Sequence, residues 1–295
     1  MVEKIMLVLT PVLAFFIGIF LVGFKRKMVA RIHRRYGPPL HQPLLDIIKL
    51  LAKKENISHG VMFDLGPVIA LGASILTVLF LPLPGFKLLT PYGDLIAFIY
   101  IMVIGSLGMA LGAGESGNPN ASIGIARALT LMLGYDLPFI IAGNTLILKY
   151  GTTSLFNLMN AQSNLHWNLF FLPLTAIAGF IATFGAMGEH PFDVVVAPQE
   201  VATGPMVEYG GKHLGLLMID HAIHVYIETA LFVTLFLGGA SNIWVFILKQ
   251  LGVVIVMTLV DTVLPRFRIE NAVRYFWRWP TIFALLGLFI VYLGG

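Results

Sequence analysis

Residues 5–24, IMLVLTPVLAFFIGIFLVGF, carry no charged side chain. A helix rising about 1.5 Å per residue takes such a run across the roughly 30 Å hydrocarbon core of a bilayer. No small-residue cleavage pattern follows, so the run reads as a retained span, Ile5 to Phe24, and not as a signal peptide. The densest basic stretch comes next, with Lys25, Arg26, Lys27, Arg31, Arg34 and Arg35. Beyond the Gly37-Pro38-Pro39 turn, Leu44 to Lys54 separates two faces: Asp46, Lys49 and Lys53 on one, and Leu44, Leu45, Ile47, Ile48 and Leu51 on the other. That is the pattern of an amphipathic helix lying in the membrane interface.

Working outward, further apolar runs occupy Gly66 to Leu83, Leu95 to Gly114, Ile123 to Leu148, Leu169 to Met187, Leu214 to Leu237, Trp244 to Leu264 and Trp279 to Leu293. They predict an all-α polytopic membrane protein, a bundle of about eight transmembrane helices plus the short interfacial helix, in a single domain over residues 1–295. Pro82 to Gly85, Gly117 to Pro119, Pro198 to Pro205 and the polar Ser163 to Trp167 read as loops, and Thr153 to Gln162 as a short surface helix. Composition agrees: 58% of the 295 residues are hydrophobic and 12% charged, which would leave a soluble domain with a largely apolar surface.

With no cysteine, the chain holds no thiolate-bound cluster, disulfide or thiol nucleophile, so any redox centre belongs to a partner. The net charge of +4 is explained by basic membrane loops, and nucleic acid is not an expected partner. With eight spans, one side of the membrane receives Lys25, Arg26, Lys27, Arg31, Arg34, Arg35, Lys49, Lys53, Lys54, Lys212, Arg266, Arg268, Arg274 and Arg278. The other receives Lys4, Lys87 and Lys149. The basic side is the cytoplasmic one, which predicts a multi-pass protein of the cytoplasmic membrane with both termini outside. No internal repeat is evident, which weighs against a carrier.

An ionisable side chain at mid-membrane costs several kcal/mol unless it is paired or wetted. Glu115, Arg127, Asp136, Glu189, Asp220, His221, His224, Glu228, Lys249 and Asp261 all lie near or within the runs. Asp220, His224 and Glu228 are spaced i, i+4, i+8, which stacks carboxylate, imidazole and carboxylate on one helical face. Such a ladder extends roughly 12 Å, and a histidine titrating near neutrality can pass a proton between the acids. The plainer alternative is that these groups neutralise one another, or face Arg127 or Lys249, and only fix packing. A metal site is a third reading, but it needs further ligands from elsewhere. Arg127 and Asp136 are open to both a buried charged pathway and two separate interhelical pairs.

The segment GEHPFDVVVAPQEVATGPMVEYGGK, residues 188–212, combines four acids with glycine and proline. It reads as a structured acidic loop over 189–213, and its run Val194-Val195-Val196 suggests that it docks a partner.

Three stretches, RIHRRYGPPLHQPLLDIIKLLAKKE, HPFDVVVAPQEVATGPMVEYGG and LPRFRIENAVRYFWRWP, occur in an order that resembles subunit 1 of respiratory complex I. The likeness is strongest to the anchor subunit of complex I-related membrane-bound nickel-iron hydrogenases, formate hydrogenlyases and archaeal sulfane reductases. It covers nearly the whole chain and is most specific at Pro191-Phe192-Asp193, Glu200, Gly204 and Glu208-Tyr209. The resemblance implies a subunit joining a peripheral arm to antiporter-like pumping subunits, with iron-sulfur clusters, and in hydrogenases a nickel-iron centre, held by the partners. It implies a coupling set of Glu115, Arg127, Asp136, Glu189, Asp193, Glu200, Glu208, Asp220, His221, His224 and Glu228. It also implies arm docking at Arg31, Arg34, Arg35, Arg266, Arg268 and Arg274.

Quinone-reducing relatives carry further acids where this chain has Val196 and Pro198. Residues 115–128, ESGNPNASIGIARA, are similar to the hydrogenase side, which commonly has an acid where Ala128 stands here, and Asp136 takes the place of a family glutamate. A quinone-site subunit is the second expectation, a stand-alone ion transporter the third, and a structural scaffold the fourth.

Overall fold

The computed structural model describes residues 2–54, 58–84, 94–162 and 166–294. Gly85, Lys87 and Ser163, as well as the side chain of Lys4, lie outside what is described. The described residues form α1 (Val2–Ile32), α2 (Gln42–Leu51), α3 (Val61–Phe80), α4 (Leu95–Glu115), α5 (Pro119–Tyr150) and α6 (Leu155–Asn160). They continue with α7 (Asn168–Phe171), α8 (Pro173–Ala186), α9 (Pro198–Val201), α10 (Gly211–Phe236), α11 (Ile243–Val263) and α12 (Ile269–Gly294). Seven of these, α1, α3, α4, α5, α10, α11 and α12, are long and apolar enough to cross a membrane.

The run expected as a fifth span, Leu169 to Met187, is divided. Leu172 leaves helical geometry at φ −129° and ψ 60°, and α8 restarts at Pro173, whose ring and missing N–H fit a first helical position and not an interior one. With 14 residues, α8 is an apolar helix about 21 Å long, shorter than any of those seven. Elsewhere the helices overshoot the apolar runs. α5 has 32 residues, about 48 Å, and α12 starts ten residues before Trp279. Hydropathy finds the lipid-facing part of a helix, whereas backbone hydrogen bonding carries the helix on into polar surroundings.

α10 is the centre of the bundle, with every residue from Val225 to Phe236 buried. It packs on α1, α3, α8 and α11. Small residues let backbones approach, as transmembrane packing requires. A Cβ on Gly66 of α3 would sit 2.7 Å from the Gly112 Cα of α4. α2 buries Ile47 against Ile19 of α1 and Ala222 of α10, and it leaves Leu45 and Ile48 exposed, as an interfacial helix should.

The long loop between α8 and α10 is pinned by Phe192, 2% exposed, whose ring lies 4.4 Å from that of Phe276 and 6.0 Å from that of Phe184. Val194 is buried in the same core. The apolar run expected to meet a partner therefore begins by filling this chain's own interior, because the loop folds back over the bundle. That loop meets the ends of α1, α3, α4, α5, α10, α11 and α12 at one side of the bundle, here called the loop face.

The opposite face is closed by neutral hydrogen bonds and by two cations, Lys149, which donates to Asn168 at 3.4 Å, and Lys249. Asn168 accepts from Tyr150 at 2.6 Å and donates to the Leu235 carbonyl at 2.9 Å. Lys249 Nζ donates to the Leu237 carbonyl at 2.6 Å and to that of Gly239, and it stands 4.5 Å over the Trp167 ring. Lys249 thus caps the C-terminal end of α10 and faces none of the buried acids.

Candidate functional site

The loop face carries a lattice of charges. Lys25, at the loop-face end of α1, pairs with Glu189 and lies 3.3 Å from Asp261 of α11. His190 donates its backbone N–H to Asp261 at 3.1 Å. Its ring lies 3.1 Å from Asp261 and 3.7 Å from Asp193. Asp193 in turn accepts from Arg266 at 2.6 Å, and a second Arg266 nitrogen donates to Gln199 at 3.2 Å. Burial pushes the Glu189 carboxyl above the usual carboxylate range, Lys25 opposes that rise, and Asp261 and Asp193 add to it.

Two further contacts hold the same loop. Arg127 of α5 donates to Glu200 at 2.6 Å. Asn118, the N-cap of α5, donates to Glu208, which lies 3.7 Å from His59. Beside them Glu115 accepts from the Phe63 backbone N–H at 2.6 Å, which ties the end of α4 to the start of α3. Tyr209 stacks on Phe63 with centroids 4.2 Å apart and donates to its carbonyl at 3.1 Å. Burial, with the charges of Asp64 and Glu115, holds the Tyr209 hydroxyl above its ordinary range, so it stays a donor.

Beneath the lattice lie three cavities. The outer one, about 710 Å³ between α1, α10 and α11, is lined by Lys25, Arg26, Glu189, His190, Asp261 and His221. The middle one, about 210 Å³, is lined by Ser74, Asp220, His221 and His224, and by Ala128, Val195 and Val196. The inner one, about 40 Å³ between α4, α5, α8 and α10, is lined by Ser106, Asp136, Thr183, His224 and Glu228. His221 is common to the outer and middle walls, and His224 to the middle and inner. Even the inner space is large enough for a water-sized molecule, and Ser106, Asp136, Thr183, His224 and Glu228 put polar groups into an otherwise largely apolar lining.

Within the interior, Asp220 accepts from Ser74 of α3 at 2.6 Å. His224 Nε2 lies 3.7 Å from Glu228 and 3.4 Å from the Ala186 carbonyl. The helical spacing therefore joins the histidine to Glu228, while Asp220 turns to a hydroxyl on a neighbouring helix. Asp136 faces the same small cavity as His224 and Glu228. Arg127 is not among these groups, because its guanidinium reaches outward to the loop. The residues expected as one set thus form three groups: the lattice around Glu189 and Asp193, the clamps on Glu200, Glu208 and Glu115, and the interior acids and histidines. Among the described residues no group of three His, Asp or Glu side chains is placed to hold a metal ion.

Several participants carried no clear sequence signal. Lys25 was one cation in a basic run, and its pairing with Glu189 depends on a contact across 164 positions of chain. Ser74, Ser106 and Thr183 look like ordinary small residues of apolar helices. His190 sits in the acidic loop motif, and its adjacency to Asp193 was the available hint. Of the expected docking arginines, Arg31, Arg34, Arg35 and Arg268 are exposed on the loop face. Arg266 is turned inward to Asp193, and Arg274 lies in a groove between α5 and α12.

The whole architecture has known counterparts. The NADH dehydrogenase family profile matches residues 3–292. A chain in the structure of the membrane-bound sulfane sulfur reductase, an archaeal respiratory membrane complex, superposes with a TM-score of 0.95 at 40% identity, covering 99% of this chain and 100% of that one. Hydrogenase-4 component C of Escherichia coli is 32% identical, over 90% of this chain and 86% of its own. An NADH-quinone oxidoreductase subunit of Geobacillus is 28% identical, also over 90% of this chain and 86% of its own. The chain belongs to the NADH dehydrogenase family, as a complex I-like membrane subunit of the kind found in membrane-bound respiratory complexes.

Proposed function

We infer that this chain is the membrane anchor and coupling subunit of an ion-translocating respiratory complex. It joins a peripheral arm of the hydrogenase or sulfane reductase kind to antiporter-like membrane subunits. The single observation that carries the reading is the series of three cavities that share walls at His221 and His224, from the Lys25–Glu189–Asp261 lattice down to Asp136 and Glu228. An arm resting on the loop face acts on the lattice, because Glu189 to Glu208 supply its acids. Exposed Arg31, Arg34, Arg35 and Arg268 offer docking cations there. A rearrangement of the Lys25 pairs changes the field at His221, and His224 passes a proton or its electrostatic equivalent to Glu228 and Asp136. Iron-sulfur clusters and any nickel-iron centre reside in the partners. The basic loop face is cytoplasmic on this reading, and both termini are outside.

The test uses the whole complex reconstituted in vesicles. His221→Phe and His224→Phe close the two shared walls without adding charge. Both variants are expected to keep electron transfer and lose most ion translocation per electron; wild-type coupling in both overturns the reading. Co-purification of a nickel-ligating large subunit would assign the hydrogenase type.

A second reading, a subunit at a quinone site, is favoured by the size of the outer cavity and by the quinone reductase among the relatives. Val196 and Pro198, where acids are expected of such relatives, weigh against it. Binding and reduction of a quinone analogue by the purified complex decides between the two.

A further inference from the structure

On the outer surface of the bundle, away from the three cavities, α5 and α12 enclose a groove of about 520 Å³. Its walls are Ile123, Ala126 and Thr130 of α5, and Ile269, Val273 and Trp277 of α12, with the side chains of Arg127, Arg274 and Glu270 at its rim. Arg127 is committed to Glu200 at 2.6 Å. Arg274 is exposed and makes no ion pair among the described residues. Glu270 is the acid on this wall, and exposed Arg268 and Arg278 flank it, so positive charge predominates along the start of α12.

The level of the groove is fixed by its neighbours. Trp277 and Trp279 are 56% and 46% exposed, and such rings collect where headgroups meet hydrocarbon. Trp277 Nε1 donates to the Leu133 carbonyl at 3.3 Å, which closes the lower end of the polar part. Below it, Leu133 and Leu137 of α5 and Ile282, Leu285 and Leu286 of α12 are exposed apolar surface. A free cation above an apolar track, at aromatic-belt depth, is complementary to an amphiphile with an anionic head and hydrocarbon tails. A peripheral protein would meet only the rim, and free phosphate would leave the apolar walls unused.

We propose that the α5–α12 groove is a binding site for an anionic membrane lipid, whose phosphodiester is held by Arg274 and whose chains lie along Leu133, Leu137 and Ile282. Arg274 then serves the bilayer and not the peripheral arm. The lipid braces the helix that bears Arg127 and Asp136 against the helix that follows Arg266, both of which reach the loop.

The test loads the purified, delipidated complex with phosphatidylglycerol or phosphatidylcholine and counts retained lipid by mass spectrometry. The wild type is expected to prefer phosphatidylglycerol, and Arg274→Gln to bind it roughly fivefold more weakly, the effect of one interfacial arginine. Ala126→Trp, which fills the groove and leaves the charges in place, is expected to lose both lipids from this position. Equal retention of the two lipids by the wild type overturns the proposal. So does unchanged phosphatidylglycerol binding in both variants, or competition by inorganic phosphate as effective as that by the lipid. Capture of a partner subunit, and not lipid, by a photo-crosslinker at position 126 would also overturn it.

Discussion

Removing Arg266 should open the acidic loop locally while the bundle stays folded. Its guanidinium binds Asp193 at 2.6 Å and Gln199 at 3.2 Å, and the Arg266 and Asp193 side chains are only 16% and 17% exposed. Truncating one partner of a fully buried ion pair costs about 3–5 kcal/mol, because the other charge is left uncompensated. The remaining exposure lets water reach Asp193, so about 2 kcal/mol is expected for Arg266→Met. The Phe192 anchor and the Arg127–Glu200 clamp remain, which confines the loss to the neighbourhood of residues 189–200. A local opening made easier by about 2 kcal/mol speeds amide exchange roughly 30-fold. Hydrogen exchange on the intact complex, read at the amides of Phe192, Val194 and Val201, measures this directly. Asp193→Asn should recover part of the loss when combined with Arg266→Met, since the orphaned charge is gone. Exchange within about threefold of wild type, or strictly additive effects in the double variant, would refute the reasoning.

Glu189→Gln should flatten the pH dependence of loop stability. Burial raises the folded carboxyl pKa, so its contribution is full below the ordinary value near 4.3 and is lost as pH rises through the folded value; an unchanged slope in the variant would contradict this. Glu200→Gln or Glu208→Gln should leave the complex assembled yet lower ion translocation per electron, measured in vesicles, and full pumping in both would count against a coupling role for the loop. Lys249→Met should lower the thermal stability of the complex by about 1–2 kcal/mol, because two carbonyls at the end of α10 lose a charged donor; coupling should be untouched. Asp220→Asn with Glu228→Gln keeps the hydrogen-bonding shape of the interior, so assembly is expected and coupling is not; retained coupling would favour the scaffold reading.

The helical class and most of the crossings were legible because lipid demands long uncharged runs and satisfied backbone groups. Ends were less legible. α12 begins at Ile269, ten residues before the apolar run, since Arg274 and Arg278 are compatible with helix while incompatible with hydrocarbon. The break at Leu172 was hidden because Pro173 sits inside an apolar run and only the backbone records the turn. The ladder spacing correctly brought His224 to Glu228, which are four residues apart on one helix. It could not reveal that Asp220 belongs with Ser74, 146 positions away. Lys25–Glu189 and Arg266–Asp193 were illegible for the same reason, because pattern along one helix says nothing about which helix stands beside it.

The disposition of the cations bears on why the interior acids are there. A purely structural role for acids in a membrane is best served by a fixed counter-charge, and sequence offered Arg127 and Lys249 for it. Neither is used that way: Arg127 reaches to Glu200 and Lys249 to carbonyls at the far end of α10. The acids are left with a serine hydroxyl, an imidazole and small cavities that carry a few polar side chains. Those partners tolerate both a carboxylate and a carboxylic acid, since each can reorient or hold water, whereas a guanidinium favours only the charged form. Among the cations that meet carboxylates above the cavities, Lys25 has two of them to choose between, Glu189 and Asp261. A lysine shared by two acids can shift between them with little change in total pairing, and each shift alters the field over His221. That combination, an adjustable cation at the loop and protonatable groups below it, suits a chain that transmits a change better than one that only holds helices together.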